Sequence, residues 1–89
     1  MLDIIKSNIN LGNYKLLQTK SNKIVIFNIK YDYTRCIYIN KIKNKIYINV
    51  DKVFDNYIKY KGIERMLISQ KIFNKIEDSI EYIQNNIIN

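Results

Sequence analysis

Few side chains in this sequence are equipped to make or break bonds. Its 89 residues include no histidine, so the commonest general base and the commonest metal ligand are both missing. A single cysteine, Cys36, cannot build a thiolate zinc site. Without histidine it also lacks its usual activating base, and it reads as a small apolar filler of a strand. The two glycines, Gly12 and Gly62, are too few for a phosphate-cradling loop or a dinucleotide fingerprint. The acids of the strand-rich region are Asp32, Asp51, Asp55 and Glu64. A carboxylate nuclease needs two or three such groups, with a lysine, converging on a divalent cation. Asp51 and Asp55 stand four apart where a helix is predicted, with Asp51 as its N-cap. The expectation is therefore solvated acids, with no catalytic residue, no metal site and no cofactor.

Groups suited to holding a partner are more plentiful. Fifteen Lys and Arg against eight Asp and Glu give a net charge of +7. Isoleucine (20), lysine (13), asparagine (13) and tyrosine (8) make up 54 of the 89 residues, while Ala, Pro, His and Trp are absent. That is the bias of AT-rich coding, and it accounts for lysine outnumbering arginine. It does not account for glutamate, which A-rich codons also supply and which occurs three times. The charge is thus partly coding bias and partly a shortage of acids, and it attracts polyanions. It is uneven: residues 1–30 carry five lysines against Asp3, while residues 61–89 balance four bases against four acids. Tyrosines interleave with the cations in "KYDYTR" (30–35), "YINK" (38–41) and "YIKYK" (57–61). Rings beside cations suit base stacking with phosphate neutralisation, and equally suit protein interfaces. Neither an aromatic–glycine–aromatic RNA-binding strand nor an Arg- and Asn-rich reading helix is present.

The elements that must position these groups follow from periodicity. Leu2, Ile5 and Ile9 stand at helical spacing before Gly12, predicting a short helix over 2–10. Residues 13–20 and 23–31 read as strands around a Ser21-Asn22 turn, with Val25, Phe27, Ile29 and Tyr31 on one face. In "INKIKNKIYINV" (39–50), a turn at Lys43-Asn44, with Asn44 accepting positive φ, pairs residue 42 with 45, 40 with 47, 39 with 48 and 37 with 50. That register puts Ile37, Ile39, Ile46, Ile48 and Val50 on one face, and Tyr38, Asn40, Tyr47, Asn49 and Asp51 on the other. A slip of one residue would turn every isoleucine outward. Lys41 shares the apolar face near the turn, where its stem can lie on the sheet and its ammonium reach water. Val53, Phe54, Tyr57 and Ile58 predict a helix over 52–61, stopped by Gly62. Residues 64–73 read as a strand with Met66, Ile68 and Ile72 on one face. Asn74 and Glu77 resemble a capping box for a final helix, whose stripe is Ile76, Ile80, Ile83 and Ile87.

Together these predict one compact α+β domain over 1–89, an antiparallel sheet of about five strands with two or three helices packed on one face. No apolar window reaches membrane-spanning length, and Asp3 interrupts the first residues, so neither a span nor a secretory signal is expected. The lone cysteine fits a reducing, cytoplasmic setting, in the cell or in an infected host. The binding residues expected are Arg35, Tyr38, Lys41, Lys43, Lys45 and Tyr47. In length, bias and lack of catalytic groups the chain resembles the small reading frames of phages, archaeal viruses and plasmids. Many of those products bind and block a host protein, including defence nucleoproteins such as CRISPR effectors. That resemblance implies a non-catalytic interaction protein whose partner is a host protein or nucleoprotein complex. A direct nucleic-acid-binding regulator or single-strand binder is the alternative, and a small carboxylate–metal nuclease a third. An open sheet also leaves edges free for a homodimer.

Overall fold

A computed structural model of the protein describes residues 2–30, 33–55 and 63–88. A short helix α1 (Leu2–Asn8) precedes five strands, β1 (Lys15–Lys20), β2 (Lys23–Ile29), β3 (Thr34–Ile42), β4 (Lys45–Asp55) and β5 (Ile63–Phe73). Helix α2 (Ile76–Tyr82) follows and runs on as a π-helical segment, Ile83–Ile88. The strands pair antiparallel in chain order, β1-β2-β3-β4-β5. This is an α+β fold with two helices on one face of the sheet.

Isoleucine builds the core because β-branched side chains fit the pleated surface. Ile24 and Ile26 of β2, Ile37 and Ile39 of β3, and Ile46, Ile48 and Val50 of β4 are all buried on one face. Leu2, Ile5 and Ile9 press on them from the α1 side, and Ile83 and Ile87 from the C-terminal side. Each such burial contributes roughly 1.5–3 kcal/mol. The central register is the one that the isoleucine alternation demands: Ile37 faces Val50, Ile39 faces Ile48, and Ile42 faces Lys45. The helices are tied to their neighbours by polar contacts. The Asn10 amide donates to Gln84 Oε1 at 2.7 Å, and Gln84 Nε2 donates back to the Asn10 carbonyl at 3.1 Å. Lys6 Nζ donates to Gln18 Oε1 of β1 at 2.8 Å.

Several expectations are corrected. A helix over 52–61 does not form at 52–55, where β4 simply continues; residues 56–61 lie outside the described ones. Lys52 pairs with Arg35 on one side and Met66 on the other, and this two-sided ladder outweighs the helical spacing of the side chains. Asp51 is therefore a buried strand residue, not a cap. In β5 a bulge opposite Val50/Asp51 breaks the alternation, so Met66, Leu67, Ile68 and Ile72 are exposed and Phe73 turns to the core. In β2 Val25, Phe27 and Ile29 do share a face, the open one, while Ile24 and Ile26 enter the core; Tyr31 lies outside the described residues. At α2 the cap position is Lys75, not Asn74, and no side-chain hydrogen bond caps it. The isoleucine stripe also divides: Ser79, Ile83 and Ile87 are buried, whereas Ile76 and Ile80 are half-buried at the side.

Candidate functional site

A meander brings every second turn to the same end of its sheet. The β1–β2 turn, Ser21-Asn22, and the β3–β4 turn, Lys43-Asn44, stand about 10 Å apart, two strand spacings. They are joined directly, for the Lys41 amide donates to the Asn22 carbonyl at 2.9 Å. Asn22 Nδ2 donates to the Lys41 carbonyl at 3.4 Å. The last residues of β5 and the entry to α2 lie at this end too, since Phe73 pairs with Ile46.

Six lysines gather here. Lys20 and Lys23 flank the first turn and face each other as Cα partners. Lys41, Lys43 and Lys45 flank or form the second, and Lys75 precedes α2. Lys20, Lys43, Lys45 and Lys75 are exposed, while Lys23 and Lys41 are half-buried. The lysine of the second turn is also unusual in its backbone. Lys43 has φ +56° and is the one non-glycine residue with positive φ among the described residues. The positive angle expected at Asn44 thus falls one residue earlier, on the first central position, as in a type II′ hairpin.

Of the residues expected to bind, Lys41, Lys43 and Lys45 are brought together. Tyr38 and Tyr47 lie on the open face of the sheet, away from the helices, both half-buried. There they alternate with two asparagines, Tyr38 opposite Asn49 and Tyr47 opposite Asn40. Lys23 is the neighbour of Asn40 on β2, so Tyr47 shares a row with a lysine of the basic end. Arg35 does not join this group. It lies eight residues down β3 from Lys43, about 27 Å at the rise of an extended strand, paired with Lys52 and Asn28. Lys52 there rests its ammonium 4.7 Å from the Tyr33 ring centroid. Lys20, Lys23 and Lys75 escape a reading of the sequence, because only strand order places them beside the hairpin tip. The signal lay in the Ser21-Asn22 turn, read together with a strict up-down topology.

Two depressions flank the tip. One, of about 220 Å³, lies on the open face among Lys23, Val25, Tyr38 and Asn40. The other, of about 370 Å³, lies between the hairpin and α2, lined by Lys41, Asn44, Asn74 and Glu77. Ammonium groups around amide and phenol donors make charge-assisted hydrogen bonds to phosphate or carboxylate oxygens, each lysine acting as a point charge. The remaining candidate chemistry is dispersed. Cys36 is buried on the open face, opposite Asp51 in register. Among the described residues no group of three His, Cys, Asp or Glu stands close enough to hold a metal ion. Asp32 and the side chains of Asp55 and Glu64 lie outside what is described. No described helix is long and apolar enough to cross a membrane. No family model, curated protein or solved structure matches the chain.

Proposed function

We propose that this chain is a non-catalytic interaction module, which docks a host protein or nucleoprotein by its lysine-bearing sheet end and inhibits or adapts that partner by occupying its surface. One observation carries the reading: six lysines of separate elements converge on one end, and the foremost, Lys43, is held at a backbone angle that glycine would adopt more easily. A strained residue at an exposed tip is more readily understood as selected for its side chain than for its backbone. A partner surface rich in phosphates or carboxylates is the complement of such an end. The small reading frames of phages, viruses and mobile elements that the chain resembles in size and bias would supply such a blocker, acting in the cytoplasm of an infected host.

Affinity capture from the native cell, with nuclease treatment before elution, tests this. A protein partner should survive nuclease and be lost with Lys43→Glu/Lys45→Glu. Retention by that variant would remove the hairpin from the account. Direct nucleic-acid binding is the second reading, supported by Tyr47 in one row with Lys23 and a few residues from Lys45. It requires a gel shift with single-stranded DNA or RNA at low salt, and it ends if none is seen.

A further inference from the structure

On the helical side of the molecule a groove runs between α1 and α2 with its π-helical extension, enclosing about 570 Å³. Ile4 forms one wall, and Ile76 and Ile80 the other. Glu77, Glu81 and Gln84 line the same wall, a helical turn apart. From Ile76 to Gln84 the wall runs about 12 Å at 1.5 Å per residue.

Three features set this groove apart from an ordinary gap between helices. First, α2 is turned against its own composition. Ser79 occupies the inward position, fully buried, its hydroxyl donating to the Ile76 carbonyl at 2.7 Å, while Ile76 and Ile80 look sideways. Second, Ile4 is 49% exposed on the facing wall, so apolar surface stands on both sides. Third, the charge is locally reversed. Residues 76–88 carry Glu77, Asp78 and Glu81 and no lysine or arginine, in a chain of net charge +7. Two of those three carboxylates line the groove.

We propose that this groove receives an amphipathic α-helix of a protein partner, apolar along one stripe and rich in lysine or arginine on its flanks. The walls are helical ridges with four-residue spacing, which interdigitate with a guest presenting apolar residues at i, i+3, i+4 and i+7. The guest's flanking cations meet Glu77 and Glu81, which fixes the sign of the partner. Among the described residues, a second copy of this chain does not supply such a guest. Its own α1 and α2 turn buried residues toward the core, and its lysines stand mainly on strands and turns. The groove shares Ile76 and Glu77 with the depression beside the hairpin tip but opens between the two helices, and the inference stands without the function proposed above.

The probe is a labelled synthetic peptide of about 15 residues, leucine at the stripe positions and lysine elsewhere, with a second peptide carrying glutamate for every lysine. Fluorescence anisotropy at physiological salt should show the lysine peptide binding and the glutamate peptide not, despite the protein's overall positive charge. Glu77→Lys/Glu81→Lys should weaken the lysine peptide at least about tenfold. Ile4→Ser on the other wall should weaken it as well, with melting temperatures showing both variants folded. Lys43→Glu/Lys45→Glu should leave it unchanged. The proposal is overturned if the lysine peptide does not bind, if both peptides bind alike, or if Glu77→Lys/Glu81→Lys has no effect. It is also overturned if the protein alone sediments as a dimer that this variant dissolves, for then a second copy is the occupant.

Discussion

Lys43 holds a left-handed backbone at a cost of about 1–2 kcal/mol to any residue bearing a Cβ. Lys43→Gly relieves that cost but adds freedom to the unfolded chain, so the net gain should be about 0.5 kcal/mol, read as a higher melting temperature. The same variant removes a cation from the tip and should bind heparin or the captured partner more weakly. A rise in stability with a fall in binding is the paired result expected; equal binding would detach Lys43 from function. The asparagines of the open face invite a second test. Asn40 Oδ1 and Asn49 Oδ1 are buried without a hydrogen-bond partner among the described residues. Leaving such an acceptor unpaired costs about 1–3 kcal/mol, so Asn49→Val should raise the unfolding free energy by on the order of 1 kcal/mol, read as a higher denaturant midpoint. At this scale much was legible in the sequence. The alternation of Ile37, Ile39, Ile46 and Ile48 dictates register, and with it the side of the sheet that Tyr38 and Tyr47 take. The turn angle was not, because Lys43 and Asn44 both fit a two-residue loop and only the backbone geometry assigns the positive φ.

Among the elements, β4 and β5 show where local spacing loses to pairing. Val53 and Phe54 carry a helical pattern with later residues, yet β3 and β5 pair with Lys52 and Val53 from both sides, and β5 continues the ladder to Asp55. Alternation in β5 misleads for another reason: a bulge shifts the phase of everything beyond it, and no residue type announced it. The outcome is two unlike sheet edges. β1 is six residues long and flanked by Lys15 and Lys20, whereas β5 runs eleven residues with Met66, Leu67, Ile68 and Ile72 exposed. Long apolar edges recruit further strands unless something covers them. We therefore expect concentration-dependent association in sedimentation velocity, reduced by Leu67→Lys/Ile72→Lys. Those positions are half-exposed or more, so the unfolding free energy should change by less than about 0.5 kcal/mol, checked by thermal melting. An unchanged sedimentation profile would clear this edge of responsibility.

Taken whole, the molecule separates its charges: cations on the turns at one end of the sheet, carboxylates along α2. The acids of α2 and the hairpin's Lys41, Lys43 and Lys45 were legible in linear order, whereas Lys20, Lys23 and Lys75 join those lysines only through strand order. If nucleic acid is the partner, the lysine end should give a log–log plot of affinity against salt with a slope near 0.7–0.9 per phosphate contacted. Four to six contacts are expected from the lysines there, and Lys20→Gln/Lys23→Gln should lower the slope by about one to two. A slope indifferent to those substitutions would place the contacts elsewhere, with Arg35 and Lys52 the next cations to examine.

Pairing in chain order has a temporal counterpart. Each hairpin joins neighbours along the chain, but the Asn10–Gln84 clasp links positions 74 apart. Shutting a loop of that length in an unstructured chain costs about 4 kcal/mol by loop-closure entropy, more than two hydrogen bonds return. The clasp becomes profitable only after the strands have drawn the ends together, so α1 should settle last in folding and loosen first in the native state. Deuterium uptake should reach the amides of α1 well before those of β3, in a breathing motion that opens the helical layer while the isoleucine sheet stays shut.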